Sequence, residues 1–305
     1  MNDGAATSAL DDAEPVDGVI GLAGRRQMTF RTFGASHGRP IIALHGTPGS
    51  RLKFSATHKP ALALGQRVIA PDRWAYGGTS AHPSPTLAGF ASDLMQLADA
   101  LQLERFSVLG VSGGGPYASA VAALFPDRVT ALALVAPAGL ISATPRRDLM
   151  AFQRFCFGPL ARQPAAVAAI FRAYHRLLTA SPRFGVTLGN VLAPKADRQV
   201  LAVAGVRERL AQSFIEGLSA GGIGPATDLS LFAAPWQLPL EAAQMPARMW
   251  LGTEDRNVPL ASARRLAAAL PDCAVETIAD AGHLWVALHY ADVLAWIAQV
   301  PHRES

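Results

Sequence analysis

Residues 108–118 read VLGVSGGGPYA, and this stretch decides the fold. Apolar residues lead into Ser112, and three glycines and a proline follow it directly. A loose surface loop would have polar flanks, whereas these flanks are apolar. The pattern G-x-S-x-G over 110–114 is typical of a nucleophilic serine at the tip of a strained turn between a buried strand and a helix. We therefore expect Ser112 to be the nucleophile of this protein.

The residues around this serine have steric and electrostatic reasons for their identity. Side chains two positions before and after it would collide, which requires glycine at Gly110 and Gly114. Pro116 suits the first turn of a helix, and the free N–H groups of that helix would point at the serine oxygen. The alternative is a glycine-rich turn that only packs closely or binds a phosphate. No second glycine fingerprint or acidic ribose ligand supports a dinucleotide site.

The composition excludes several other classes of protein. Half of the 305 residues are hydrophobic, which is enough for a large core. Cys156 and Cys273 are far apart and lack metal-ligand spacing, so we expect no disulfide framework, no metal site and a cytoplasmic location. The longest apolar run, 131–141, is too short to cross a bilayer. We therefore expect no membrane as a partner, and because scattered arginines produce the net charge of +4, we expect no nucleic acid either.

Strand-like and helix-like segments alternate along most of the chain. We expect strands over 28–33, 41–46, 67–72, 106–112, 129–137, 247–252 and 273–279, and helices over 86–101, 116–125, 259–270 and 284–299. This alternation predicts an α/β fold with a mostly parallel central sheet flanked by helices. It stops between about 142 and 226, where helical runs are punctuated by prolines. We therefore predict a flexible tail over 1–17, a core domain over 18–141 and 236–305, and an inserted helical cap over 142–235.

Two further side chains follow predicted strands and would complete a nucleophilic site. His283, in DAGHLW, lies between a strand and the last helix, and Asp255, in WLGTEDRNVP, directly follows a buried strand. Because the carboxyl ends of parallel strands meet at one edge of a sheet, we expect both side chains beside Ser112. His283 would be the base, and Asp255 would orient it. The neighbouring Glu254 is a rival for the second role.

The segment HGTPGS, which begins at His45, follows another buried strand and suits an oxyanion-binding turn. Acyl transfer needs two backbone donors aimed at the developing oxyanion. We expect these donors to be the N–H groups of Thr47 and Gly113. His45 is an alternative base, but its place within the turn favours a structural role. Asp72, in PDRWAYGGTS, is expected to hold loops together at the edge of the sheet.

Together these motifs resemble those of capped serine-nucleophile members of the α/β-hydrolase superfamily, such as esterases, lactonases and iminopeptidases. The resemblance covers about residues 28–300 and lies in HGTPG, PDRWAYGGTS, GVSGGG, LGTEDRNVP and AGHLW. The chain order of serine, aspartate and histidine also matches. The resemblance implies the α/β-hydrolase fold with an inserted helical cap. One departure is Trp74-Ala75, where many relatives have Pro-Gly.

The resemblance implies a carboxylic ester hydrolase that needs neither a cofactor nor a metal. It would cleave an ester, lactone or related acyl bond of a small to medium, mainly apolar molecule. Ser112 attacks the carbonyl, His283 accepts and returns the proton, and water resolves the acyl-enzyme. Three alternatives stay open: a proline-iminopeptidase-like aminopeptidase, a carbon–carbon hydrolase or lyase, and a ligand receptor with little or no turnover. The sequence also leaves the oligomeric state open.

The predicted cap is more basic than the rest of the chain. Eleven basic residues lie in it: Arg146, Arg147, Arg154, Arg162, Arg172, Arg176, Arg183, Lys195, Arg198, Arg207 and Arg209. Its five acids are Asp148, Asp197, Glu208, Glu216 and Asp228. Either the basic side chains form solvated helix faces, or one or two enter the cleft and favour a substrate carboxylate. We expect apolar cap residues to pack on the core and to line a hydrophobic pocket above the serine: Phe152, Phe155, Val167, Ile170, Phe171, Leu177 and Leu178.

Overall fold

The computed structural model describes residues 14–301. The predicted tail over 1–17 therefore lies mostly outside the described residues. Its last two residues, Val16 and Asp17, belong instead to the first strand, because the backbone there pairs with the next strand. Val16 and Val19 are 59% and 60% exposed. Only its last residue, Leu22, is buried, so most of the strand lacks the clear apolar alternation that predicts a strand from sequence.

A central sheet of eight strands is formed by residues 14–301, in the order β1-β2-β4-β3-β5-β6-β7-β8. The strands are β1 (Val16–Leu22), β2 (Arg26–Gly34), β3 (Arg39–Leu44), β4 (Gln66–Pro71), β5 (Phe106–Val111), β6 (Val129–Val135), β7 (Ala247–Gly252) and β8 (Cys273–Ile278). β2 pairs antiparallel with β1 and β4, and the other five neighbouring pairs are parallel. This confirms the predicted α/β fold and its mostly parallel sheet.

Helices cover both faces of the sheet. They are α1 (His58–Ala63), α2 (Leu87–Ala100), α3 (Gly115–Leu124), α4 (Ala151–Cys156), α5 (Pro164–Ala180), α6 (Pro182–Gly189), α7 (Lys195–Ala202), α8 (Val206–Gly217), α9 (Ile223–Ala233), α10 (Leu260–Ala269) and α11 (Val286–Gln299). The neighbouring β3 residues Ile41 and Ile42 belong to two different hydrophobic clusters, as the alternation of side chains along a strand requires. Helices α2, α3 and α10 contribute to one cluster, and α1 and α11 to the other.

Residues 142–235, which we call the cap segment, form α4–α9 and contain no strand, and every one of them is described. Leu178, Val186, Leu201 and Leu210 build a hydrophobic cluster within the segment, and Leu284 of the core joins it. The segment thus packs both on itself and on the loop that carries the predicted base. Its division from the core as a separate domain stays a prediction.

The burial of the cap side chains differs partly from expectation. Val167 and Leu178 are buried, but Phe152, Phe155 and Ile170 are 57%, 54% and 53% exposed, so the prediction that they pack on the core is wrong. Helical spacing identifies an apolar face without identifying what covers it. Nine of the eleven basic side chains are exposed, which favours solvated helix faces, while Arg207 and Arg209 are half-buried.

Candidate active site

Ser112 lies at the tip of a sharp turn between β5 and α3. Its φ is +54°, in the left-handed region that a residue with a side chain rarely adopts. A Cβ on Gly110 would lie 2.7 Å from Cβ of Ala118 and 2.9 Å from the carbonyl oxygen of Gly114. A Cβ on Gly114 would lie 2.1 Å from the carbonyl oxygen of Leu44. The glycines are therefore required by contacts within the turn and with the end of β3.

The structure brings the three predicted side chains together in one hydrogen-bonded array. Oγ of Ser112 lies 2.9 Å from Nε2 of His283, and Nδ1 of His283 lies 2.8 Å from Oδ2 of Asp255. The second carboxylate oxygen, Oδ1, accepts from the backbone N–H groups of Asn257 (2.8 Å) and Val258 (3.2 Å). These two donors hold the buried carboxylate in the orientation that meets the imidazole. Asp255, and not the neighbouring Glu254, forms the bond to His283.

The electrostatic environment of His283 suits a base. Burial of the ring lowers its pKa, but attraction to the Asp255 carboxylate and the hydrogen bond between them raise it more. Asp197 raises the pKa of His283 further, whereas Lys53 lowers it. The net result is a pKa above the usual value of a histidine. An imidazole with a raised pKa readily accepts a proton, and its Nε2 faces the hydroxyl of Ser112.

The predicted oxyanion turn lies against the serine. A Cβ on Gly46 would lie 3.0 Å from Cβ and 3.4 Å from Oγ of Ser112. A Cβ on Gly113 would lie 3.1 Å from the backbone nitrogen of Thr47. A Cβ on Gly113 would also lie 2.2 Å from Oγ1 of Thr47, so a side chain there would displace the turn, and a side chain at Gly46 would be tight against the serine. The structure thus brings the predicted donor residues, Thr47 and Gly113, side by side next to the serine.

The side chain of His45 has a structural role in the oxyanion turn. Its Nδ1 donates to the carbonyl oxygen of Gly46 (2.9 Å), and its Nε2 accepts from the backbone N–H of Arg73 (3.1 Å). Complete burial and the nearby Arg73 lower its pKa well below the usual value, so the ring is neutral. Asp72 accepts from the backbone and the guanidinium of Arg51 and from Thr29, and so links loops, as expected.

A buried polar cluster, which the sequence did not predict, supports the oxyanion turn. Its centre is Asp228 of α9, which accepts hydrogen bonds from Thr47, from both terminal nitrogens of Arg73, and from the hydroxyls of Tyr76 (2.6 Å) and Tyr117 (2.7 Å). Burial and the adjacent Asp228 raise the pKa of both tyrosines well above the usual value, so both hydroxyls stay protonated and donate. Arg73 also donates to the carbonyl oxygens of His45 (3.0 Å) and Gly46 (3.1 Å).

A second residue of the cap segment that sequence reasoning missed is Asp197 of α7. Its carboxylate accepts from the backbone N–H groups of His283 (3.1 Å) and Leu284 (2.7 Å). No pattern in the sequence identifies either aspartate, because each contacts residues far away in the chain. In the sequence, Asp197 and Asp228 are simply two of the five acids of a basic segment.

In the loop where Trp74-Ala75 stands in place of Pro-Gly, the second of these residues has a left-handed backbone conformation. Ala75 has a φ of +57°, although glycine is the residue that usually adopts this conformation. The indole N–H of Trp74 donates to Asp93 (2.8 Å), and the ring of Trp74 packs against Phe90. Trp74 and Ala75 are both buried. Packing of the indole in the core thus holds a backbone conformation that alanine alone would not favour.

Comparison with known proteins agrees with this architecture. A family profile described as alpha/beta hydrolase fold matches residues 39–290. A serine hydrolase-like protein of Danio rerio is 29% identical over 184 residues, which cover 57% of this chain and 56% of that protein. A proline iminopeptidase of Xylella fastidiosa is 29% identical over 122 residues, 38% of each chain. The matched region thus spans about half the length, or less, of these curated relatives.

Solved structures extend the similarity over nearly the whole chain. A thermophilic esterase from Thermogutta terrifontis superimposes with a TM-score of 0.66 and 22% identity, covering 94% of this chain and 99% of the esterase. At this identity the similarity concerns the fold. Within residues 14–301, no helix has both the length and the apolar composition needed to cross a membrane.

Proposed function

Because the chain belongs to the α/β-hydrolase family, we propose that it is a serine hydrolase, of the carboxylic ester hydrolase class, that acts through an acyl-enzyme. Its substrate is a small to medium, mainly apolar molecule with an ester, lactone or related acyl bond. One observation carries the proposal: Oγ of Ser112, the His283 ring and the Asp255 carboxylate form one hydrogen-bonded chain at the tip of the turn. This is the arrangement that activates a serine hydroxyl for nucleophilic attack.

The reaction follows from the atoms in that chain. Nε2 of His283 takes the proton of Ser112 as Oγ attacks the carbonyl carbon, and Asp255 stabilises the imidazolium that forms. The N–H groups of Thr47 and Gly113 donate hydrogen bonds to the carbonyl oxygen and stabilise the negative charge that develops on it. His283 then returns the proton to the leaving alcohol. A water molecule, deprotonated by the same imidazole, releases the acid and restores Ser112.

An aminopeptidase acting like proline iminopeptidase is less well supported, because it must hold a substrate ammonium with a cap carboxylate. Each of the five acids in the cap segment already has a partner: Asp148 with Arg147, Asp197 with the N–H of His283, Glu208 with Arg183, Glu216 with Arg51, and Asp228 with Arg73. Asp197 and Asp228 are moreover only 1% exposed. We therefore propose that a cationic substrate is disfavoured.

A lyase or a ligand receptor on the same fold would share the architecture. A receptor without turnover would not need a serine hydroxyl that is within 2.9 Å of a base. The half-buried Ser112 and the oriented imidazole support catalysis over binding alone, and turnover of esters or lactones would separate a hydrolase from a lyase. Cys156 and Cys273 carry free thiols, which supports a reducing compartment, and we propose a cytoplasmic location on that basis.

The test is a panel of p-nitrophenyl esters of one size that carry a neutral, a carboxylate or an ammonium group, together with neutral lactones and proline p-nitroanilide. We expect turnover of the neutral esters or lactones, a smaller kcat/KM for the ammonium ester, and no turnover by Ser112→Ala. Cleavage of the anilide in preference to every ester would replace the proposal with the aminopeptidase. Absence of turnover on the whole panel, with saturable binding of an ester, would favour a receptor.

A further inference from the structure

Asp197 is a buried carboxylate that binds the backbone next to the proposed base. It is 1% exposed, and its two oxygens accept from the consecutive N–H groups of His283 and Leu284. A Cβ on Gly282 would lie 2.3 Å from Oδ1 of Asp197, so the glycine before the histidine is what lets the carboxylate reach these donors. Among residues 14–301, no basic side chain forms an ion pair with Asp197, and the His283 ring acts on it only through an electrostatic attraction that opposes the effect of burial on its pKa.

A buried carboxylate without a basic partner is unfavourable unless its other contacts offset the loss of hydration. The two N–H groups provide that compensation, and they belong to the loop whose position decides whether Nε2 of His283 meets Ser112. Charged groups from three parts of the chain act on the His283 ring: Asp255 after β7, Asp197 of α7, and Lys53 of the 3-10 helix Arg51–Thr57. Asp197 thus contributes both a backbone anchor and a negative charge.

Asp228 performs the same task for the oxyanion turn. It binds the hydroxyl of Thr47, whose N–H is the proposed oxyanion donor, and it binds the hydroxyl of Tyr117 on the helix that follows Ser112. Through Arg73 it also reaches the carbonyl groups of His45 and Gly46. One carboxylate of α9 therefore joins the oxyanion turn to the helix behind the nucleophile.

We propose that Asp197 and Asp228 are positioning residues, through which the cap segment holds the base and the oxyanion turn in register with Ser112. The inference rests on the proposed function and deepens it. The cap segment is then part of the catalytic framework at α7 and α9. Each aspartate has its own consequence. Asp197 acts on His283, whereas Asp228 contacts neither His283 nor Asp255.

The test compares Asp197→Asn and Asp228→Asn with Glu208→Gln, a matched loss of one exposed acid from the same segment. Histidine-labelled protein gives the pKa of His283 by NMR, and an ester gives kcat and its pH profile. We expect Asp197→Asn to lower the pKa of His283, to move the acid limb of kcat/KM to lower pH, and to reduce kcat about 10- to 100-fold. We expect Asp228→Asn to reduce kcat by a similar factor without moving the acid limb. Glu208→Gln should change neither property.

Thr47→Val is a second variant for Asp228, since it removes one of the hydroxyls bound by that carboxylate without leaving a buried charge. A folded Asp197→Asn protein with an unchanged pKa of His283 and an unchanged kcat would overturn the role of Asp197. Unchanged kcat in folded Asp228→Asn, or in Thr47→Val where the former does not fold, would overturn the role of Asp228. The NMR measurement needs no turnover, so failure of the role of Asp197 is distinct from failure of the proposed hydrolysis.

Discussion

Arg73 and Asp228 form a bidentate ion pair from which solvent is excluded, with side chains that are 0% and 1% exposed. The two residues are 155 positions apart in the chain. Loss of one partner from such a pair leaves a buried charge without its counter-ion, whereas loss of both removes the charge altogether. The rings of Tyr76 and Tyr117, 4.8 Å and 4.6 Å from the guanidinium carbon of Arg73, complete its surroundings.

The first prediction concerns the stability of this pair. We expect Arg73→Met and Asp228→Leu each to lower the free energy of unfolding by about 3–5 kcal/mol, and the double variant to lower it by less than the sum of the two. Urea unfolding of the four proteins completes a double-mutant cycle. Arg183→Met, which breaks an exposed ion pair with Glu208, serves as the control and should change the free energy by less than about 1 kcal/mol. Additive single effects would contradict the coupling.

The second prediction concerns the nucleophile. A fluorophosphonate probe should attach once to the native protein and not to Ser112→Ala, because only an activated serine hydroxyl attacks phosphorus at neutral pH. Intact-protein mass spectrometry measures the adduct. Ser92→Ala, a change on the exposed face of α2, should be labelled like the native protein. Equal labelling of Ser112→Ala would assign the nucleophile to another residue.

The third prediction concerns the acid beside the imidazole. The raised pKa of His283 means that kcat/KM falls as the pH drops through a value above the usual one of about 6.5. Asp255→Asn removes the main group that raises this pKa and disturbs the tautomer, so the acid limb should move to lower pH and kcat should fall about 10⁴-fold. A pH–rate profile of both proteins measures the change. Glu254→Gln should behave like the native enzyme, and a larger loss in that variant would reverse the assignment.

The fourth prediction concerns Lys53, whose pKa burial lowers to about 8 from its usual value of 10.5. Between these two values the unfolded chain binds more protons than the folded one, so the free energy of unfolding rises with pH in that interval. Lys53→Met should therefore be more stable than the native protein at pH 7, on the order of 1–2 kcal/mol. This gain should shrink between pH 8 and pH 10.5.

Chemical unfolding at pH 7, 8.5 and 10 measures the difference for Lys53. Lys59→Met on α1 is the matched control, because Lys59 is exposed and its variant should show no such pH dependence. A stability difference for Lys53→Met that stays constant over the whole interval would show that the Lys53 ammonium is fully hydrated in the folded protein.

Local features of the sequence were sufficient for the turn around Ser112 and for seven of the eight strands, while β1 was not predicted. A serine between glycines, after an apolar run and before a proline, restricts the backbone by contacts among close neighbours. Apolar runs of strand length likewise identify β3 to β7 without reference to a partner. The positions of Asp255 and His283 followed from topology, because the carboxyl ends of parallel strands meet at one edge. The hydrogen bonds of their side chains now provide the geometry for the proposed roles.

Only the tertiary structure revealed what supports this site. Asp197 lies 86 positions from His283, and Asp228 lies 181 positions from Thr47, so no local pattern connects either pair. In the sequence each is one of the five acids of a basic segment, and most acids face water. Whether a carboxylate is buried depends on donors that other elements bring to it. The sequence therefore determined which residues do the proposed chemistry, while packing of the cap segment decided what holds them in place.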